Sequence, residues 1–189
     1  TMLLNYLNFE SLIATKASRI SKITGDRLFS DFGLRRAQGL GGLQASRAAV
    51  IGGAGATSNV LAGHLYDIPV TGTQAHSWIQ SFDDELEAFR KYAESFPEHT
   101  VLLVDTYNTL SQGVPNAIKV AHELREKGYE LKGIRLDSGD LAYLSKKARK
   151  MLDDAGLTRT NIIVSNQLDE YVIRSLIEQG APIDGFGVG

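Results

Sequence analysis

The sequence predicts an α/β fold built on a parallel sheet, and two regularities carry that expectation. The first is spacing. Apolar runs that read as buried parallel strands occur at Val101–Val104, Gly133–Leu136, Asn161–Val164 and Gly185–Val188. Val101, Ile134, Ile162 and Phe186 stand 33, 28 and 24 residues apart, the length of a strand plus a crossover helix. The second is the period of what lies between. Val114, Ala117, Ile118, Ala121 and Leu124 fall on one helical face, as do Leu141, Leu144, Ala148, Met151 and Ala155, and then Val172, Ile173, Leu176 and Ile177. Gly128, Gly156 and Gly180 follow these segments where a left-handed C-terminal cap belongs.

The first half is less regular but compatible. Leu3 to Lys22 reads as a helix, Leu28–Phe32 as a strand and Arg36–Val50 as an Ala-rich helix interrupted by glycines. A strand at Gly53–Thr57, a short helix at Val60–Tyr66 and a strand at Pro69–Thr73 follow. Ser81 with Asp84 three residues later resembles a capping box, opening a helix that runs through Ser95. The total is about seven strand–helix units, close to the eight of a closed barrel, with an open doubly wound sheet as the alternative. Both ends look abrupt, so the expectation is a piece of a longer chain, with residues 1–189 forming part of one barrel domain.

Composition narrows the function. Lys plus Arg number 20 and Asp plus Glu 22, a net charge of −2, which gives no electrostatic reason to bind nucleic acid or an anionic membrane. No apolar run approaches the ~20 residues of a membrane-spanning helix. The absence of cysteine excludes a disulfide scaffold, a thiol nucleophile and a thiolate metal site. A cytoplasmic protein is the default expectation.

Parallel α/β folds place their ligands just beyond the strand ends, and nearly every expected strand end here carries a charged, amide or hydroxyl group or a small-residue turn. A large polar pocket for an anionic ligand follows. Within Arg135-Leu-Asp137-Ser138-Gly-Asp140, Arg135 and Asp137 are two apart on a strand and point the same way. An arginine beside two carboxylates suits a phosphate together with a magnesium ion or a sugar hydroxyl. Ser138 is a candidate cap for the following helix, while Asp137 and Asp140 also suit a helix start through the dipole alone. Of the histidines, His99 and His122 read as surface residues and His64 as packing. His76 follows a Thr-Gly-Thr turn and stands among the site candidates, a base or a nucleophile. No second histidine stands at zinc-ligand spacing. A dinucleotide fingerprint and a P-loop are both absent.

Asp31-Phe-Gly-Leu-Arg-Arg-Ala-Gln-Gly39, Gly55-Ala-Thr-Ser-Asn59, Gly72-Thr-Gln-Ala-His76-Ser-Trp, Val104-Asp-Thr-Tyr-Asn108 and Gly133-Ile-Arg-Leu-Asp-Ser-Gly-Asp140 occur in that order, completed by Ser165-Asn166 and Phe186-Gly-Val-Gly189. Together they resemble the nicotinate phosphoribosyltransferase family across almost the whole chain. The resemblance implies a type II phosphoribosyltransferase fold, an irregular α/β barrel with a second domain built from the two ends of a longer chain. It also implies the first step of nicotinate salvage toward NAD. Nicotinate and 5-phosphoribosyl-1-diphosphate give nicotinate mononucleotide and diphosphate, with ATP hydrolysis coupled and sites formed in a homodimer.

Carried over residue by residue, His76 matches the histidine that ATP phosphorylates. Arg35 matches a residue near the pyridine ring and its carboxylate. Asn59 stands where the related nicotinamide enzyme has an acid, so an amide there avoids repelling a nicotinate carboxylate. Arg135 and Asp137 are expected at the phosphoribosyl group, with Asp105 and Asp137 near a diphosphate bound to Mg2+, and Ser138 beside them. Ser165, Asn166, Gly187 and Gly189 are expected to offer donors to the 5′-phosphate. The nicotinamide enzyme of the same fold is the nearest rival, opposed by Asn59 and the Leu34-Arg35-Arg36 stretch. The quinolinate enzyme is opposed by His76 and its flanking motif. A non-catalytic barrel binding a phosphorylated metabolite is opposed by the joint presence of His76, Arg135 and Asp137.

Overall fold

Strands and crossover helices fall where the apolar runs place them. In the computed structural model, which describes residues 1–189, the chain opens with α1 (Met2–Thr24), β1 (Leu28–Asp31), α2 (Leu40–Ile51), β2 (Ala56–Thr57) and α3 (Val60–Tyr66). It continues with α4 (His76–Ile79), α5 (Glu85–Ser95), β3 (Val101–Leu103), α6 (Val114–Glu126) and β4 (Gly133–Leu136). It closes with α7 (Leu141–Asp154), β5 (Asn161–Val164), α8 (Glu170–Glu178) and β6 (Gly185–Val188). These elements gather into two units, one of residues 1–72, 165–178 and 185–189, the other of residues 73–164 and 179–184. No helix is long and apolar enough to cross a membrane.

In the first unit β1 is flanked by parallel strands. Ser30 pairs with Ala56 of β2, and Phe29 pairs with Phe186 of β6. Helix α1 packs against α2 and α8. Close approach of the first two helices requires Gly52, where a Cβ would lie 2.5 Å from the Ala14 carbonyl oxygen. Lys16 on α1 pairs with buried Glu170 on α8, and that hydrogen bond holds the Glu170 carboxyl below the usual carboxylate range.

In the second unit β4 lies between β3 and β5, all parallel. Leu102 stands opposite Ile134, and Ile134 opposite Ile162. All three are fully buried, as a strand covered on both faces demands. Each such side chain contributes about 1.5–3 kcal/mol through burial. Arg149 of α7 donates to the Thr160 and Leu157 carbonyls, tying that helix to the approach of β5.

Several expectations are corrected. The helix expected over Arg36–Val50 begins only at Leu40; Leu34–Arg36 forms a 3-10 turn, and Gly39 at φ 52° breaks the path between them. The strand expected at Gly53–Thr57 shrinks to Ala56–Thr57, and Pro69–Thr73 retains one bridge, Val70 to Thr57. No capping box opens at Ser81. Its hydroxyl donates back to the Trp78 carbonyl, closing α4, and α5 starts at Glu85 behind Asp84. His64 is exposed, against the packing role expected for it.

A π-helical turn, Thr109–Gly113, joins the exit of β3 to α6. A Cβ at Gly113 would lie 1.8 Å from the Val104 carbonyl oxygen, which is backbone that no rotamer relieves. Gly113→Ala is therefore expected to cost about 3 kcal/mol or more, seen as a lowered melting temperature. A variant melting within ~2 °C of the parent would overturn that account.

Candidate active site

The exits of β3 and β4 build the site. Their register sets Leu103 opposite Arg135, and Val104 N–H donates to the Arg135 carbonyl at 3.1 Å. The residues that follow, Asp105 and Asp137, are thereby brought side by side. One Asp105 oxygen, Oδ2, accepts the Asp137 N–H at 2.6 Å and the Ser138 hydroxyl at 2.6 Å. Both bonds go to a charged acceptor, which strengthens them. The Asp105 side chain is 1% exposed, and its Oδ1 is buried with no hydrogen bond. Ser138 is thus not the cap of α7. Asp140 takes that role, its side chain accepting the Tyr143 N–H at 3.0 Å, because Ser138 has turned toward Asp105 instead.

Arg135 extends from β4 along the same side as Asp137. Its Nη2 lies 3.6 Å from Asp137 Oδ2, while Nη1 donates to the Thr73 hydroxyl and, at 3.4 Å, to the Gln74 carbonyl. Gln74 in turn accepts the Leu103 N–H through Oε1 at 3.1 Å, covering a backbone donor of β3. The same segment leads into α4 and delivers His76. Imidazole Nδ1 lies 3.1 Å from the Thr106 hydroxyl. Nε2 lies 3.4 Å from Asp137 Oδ2 and 4.0 Å from Asp105 Oδ1. His76, Asp105, Arg135, Asp137 and Ser138 therefore converge, as the motifs suggested. With its ring 36% exposed, His76 is the open member of a group whose carboxylates attract cations.

Sequence reasoning missed three supports. Thr106 and Gln74 were visible only as parts of motifs. Glu85 gave no signal at all, since an acid in a first helical turn normally sits in solvent. Here it is 2% exposed, with Oε2 accepting from Asn116 at 3.0 Å and Oε1 buried without a hydrogen bond. Burial pushes its carboxyl above the usual range, opposed by the Asn116 bond and helped by the charges of Asp84 and Asp105. A raised folded value means that ionisation costs stability. That cost is absent below the unfolded value of about 4.3 and grows as pH rises through the folded one. Glu85→Gln should remove it, so its gain in melting temperature over the parent should be larger at about pH 8 than at about pH 4. A gain independent of pH would contradict this.

The remaining candidates lie in the first unit. Asn59 is 3% exposed and caps α3: Oδ1 accepts the Ala62 N–H at 3.1 Å, and Nδ2 donates to the Gly42 carbonyl and the Ser46 hydroxyl, each at 3.2 Å. Its carboxamide is thus committed within the fold. Arg35 is exposed in the 3-10 turn. Its neighbour Arg36 lines a cavity of about 310 Å3 with Asp31, Gly33, Val188 and Gly189. Asp31 shapes this end, accepting the Gly33 N–H at 2.9 Å and the Thr57 hydroxyl at 2.7 Å. Gly187 lies under the Phe32 ring, where a Cβ would come within 2.4 Å. Ser165 is buried, and Asn166 takes the left-handed φ of 92° that side chains other than Asn and Asp rarely adopt.

The model of the nicotinate phosphoribosyltransferase (NAPRTase) family matches residues 28–189. The chain belongs to that family. A nicotinate phosphoribosyltransferase of Bacillus subtilis (strain 168) is 55% identical over 190 residues, covering 100% of this chain and 38% of that protein. One from Mycobacterium tuberculosis (strain H37Rv) is 45% identical over 190 residues, again with 100% of this chain but 40% of the relative. The crystal structure of human nicotinic acid phosphoribosyltransferase superposes with a TM-score of 0.88 at 34% identity, over 96% of this chain and 47% of that one. The chain thus spans 38–40% of the length of these two curated relatives. The expected fold class holds: an α/β barrel of the family's kind, of which this chain carries part.

Proposed function

We propose that the protein is a nicotinate phosphoribosyltransferase, joining nicotinate to 5-phosphoribosyl-1-diphosphate with ATP as co-substrate. The observation that carries this reading is His76 held between Thr106 and the Asp105–Asp137 pair, with Arg135 alongside, in a member of this family. In ribosyl transfer, the pyridine nitrogen lone pair forms the bond to the ribose carbon as the bond to diphosphate breaks. Diphosphate leaves with the electron pair, so positive charge grows on the sugar and negative charge on the leaving group. Asp137 is positioned to stabilise the first and Arg135 the second. No covalent bond between protein and sugar is required.

In the ATP half-reaction, an imidazole nitrogen of His76 forms the bond to the γ-phosphorus as its bond to the ADP oxygen breaks. Water later cleaves the N–P bond, releasing phosphate and restoring the ring. The donor set fits magnesium. Asp105 Oδ1 is a buried oxygen without a hydrogen bond, and Asp137 stands beside it, hard ligands of the kind magnesium shares with substrate phosphates. Bound there, Mg2+ would neutralise charge on the leaving group.

The remaining roles rest on the family resemblance. Arg35 is assigned to the pyridine carboxylate, and Ser165, Asn166, Gly187 and Gly189 to the 5′-phosphate. Asn59 is needed by the fold, as a carboxylate there would confront the Gly42 carbonyl; its part in choosing an acid substrate is a further part of the proposal. Residues 1–189 are assigned to the barrel domain of a longer, cytoplasmic, homodimeric enzyme, in line with the share of its relatives that the chain spans.

The test uses the full-length protein with phosphoribosyl diphosphate and magnesium. Nicotinate, nicotinamide and quinolinate compete in one tube, with and without ATP, and mass spectrometry identifies the mononucleotide. Nicotinate mononucleotide that rises with ATP supports the reading. Nicotinamide mononucleotide instead would transfer the chain to the related nicotinamide activity, and no product would favour a phosphometabolite-binding barrel.

A further inference from the structure

The Arg135 guanidinium is anchored from a segment 62 positions away in the chain. Its Nη1 donates to the Thr73 hydroxyl and, at 3.4 Å, to the Gln74 carbonyl. The Thr73 hydroxyl donates its own hydrogen to that same carbonyl at 3.3 Å, which turns an oxygen lone pair toward the guanidinium. Gln74 fixes where this pair sits along the sheet. Its carboxamide, in a residue 4% exposed, accepts the Leu103 N–H at 3.1 Å. Leu103 is the residue that stands opposite Arg135 in the register of β3 on β4. The guanidinium also faces Asp137 Oδ2, 3.6 Å from Nη2. A long side chain with many rotamers, left to that carboxylate alone, would fold onto it. The Gln74 carbonyl lies at the long end of hydrogen bonding, so the Thr73 hydroxyl is the stronger restraint against that pull.

We propose that Thr73 is the positioning residue for Arg135, holding the guanidinium between itself and Asp137 so that it meets the leaving diphosphate rather than collapsing onto the carboxylate. This rests on the proposed ribosyl transfer, in which Arg135 stabilises the leaving group. In that step the bond from the ribose carbon to the diphosphate oxygen breaks with its electron pair, while the pyridine nitrogen supplies the pair for the new bond. Negative charge on the departing oxygens grows toward the transition state. A guanidinium displaced toward Asp137 therefore loses more there than in the substrate complex. Free diphosphate carries that charge in full, so its affinity reports the same placement without turnover. Serine keeps the accepting oxygen and the donated hydrogen. Valine, nearly identical in shape, loses both.

Thr73→Val, Thr73→Ser, Arg135→Gln and the double variant Thr73→Val with Arg135→Gln, all in the full-length protein, separate this from a packing role. Two quantities are read: kcat and KM for phosphoribosyl diphosphate, and the calorimetric Kd of magnesium diphosphate. Thr73→Val is expected to lower kcat/KM by about 10- to 100-fold, mostly in kcat, the range of a hydrogen bond to a charged group. The Kd of magnesium diphosphate should rise about tenfold, and Thr73→Ser should bring both quantities to within about threefold of the parent. Added to Arg135→Gln, Thr73→Val should cost less than about twofold, because the two residues act as one. If Thr73→Val is not folded by circular dichroism, Thr73→Ala takes its place. Parent-like turnover and affinity without the hydroxyl, failure of serine to restore them, or an undiminished loss in the Arg135→Gln background would each overturn the proposal. A parent that forms no mononucleotide refutes the ribosyl-transfer reading instead, and the diphosphate affinities then decide on Thr73 by themselves. A parent with no affinity for diphosphate overturns both.

Discussion

His76→Ala is expected to abolish ATP coupling while leaving a slow, ATP-independent ribosyl transfer. The imidazole is the nucleophile in the proposed ATP half-reaction, and no second histidine stands within the group formed by Asp105, Arg135 and Asp137. The ribosyl step draws on those other three residues, so it should survive at reduced rate. The ring is 36% exposed and belongs to the short helix α4, so its loss leaves the buried strands intact. The measurements are ATP hydrolysed per mononucleotide formed and acid-labile phosphate retained on the protein. Both should fall to background. ATP consumption unchanged in the variant would remove His76 from the mechanism.

Asp105→Asn should lower turnover by about 10³-fold, through loss of charge and of geometry together. Oδ2 receives two hydrogen bonds, from the Asp137 N–H and the Ser138 hydroxyl, each at 2.6 Å. Hydrogen bonds to a charged group are worth about 1.5–3 kcal/mol each, so their weakening loosens the turn that carries Asp137. The asparagine keeps one accepting oxygen, but its NH2 cannot serve a cation. Magnesium dependence should therefore weaken along with turnover. Activity within tenfold of the parent, in a protein shown by circular dichroism to be folded, would show that Asp105 is only a structural acceptor.

Much of the fold was legible because its physics is local. A strand covered on both faces reads as an apolar run; Val101–Leu103 and Gly185–Val188 meet that condition throughout, and Gly133–Leu136 and Asn161–Val164 meet it except at Arg135 and Asn161. Helices between them must present one apolar stripe and then stop. Gly128, Gly156 and Gly180, at φ 83°, 72° and 65°, mark those stops. The first half was harder to read because β2 is only two residues long, and glycines there interrupt periodicity without revealing whether they turn the chain or pack it. At Ser81, two correctly spaced residues imitated a capping box whose geometry never forms.

The sequence by itself determined the alternation of strands and helices, the site motifs at their ends and the family to which they point. All of these depend on residues close together in the chain or on their order along it. Only the tertiary structure decided which atoms meet. His76 reaches Thr106 across 30 positions, and Asp105 reaches Asp137 across 32. The second contact comes from the register of β3 on β4, which no short window contains. For the same reason Ser138 turns from helix cap to ligand of Asp105, Asn59 becomes a buried cap, and Glu85 exchanges water for the Asn116 amide. A side chain's chemistry is written in its residue type, but its protonation and orientation depend on what packing puts beside it.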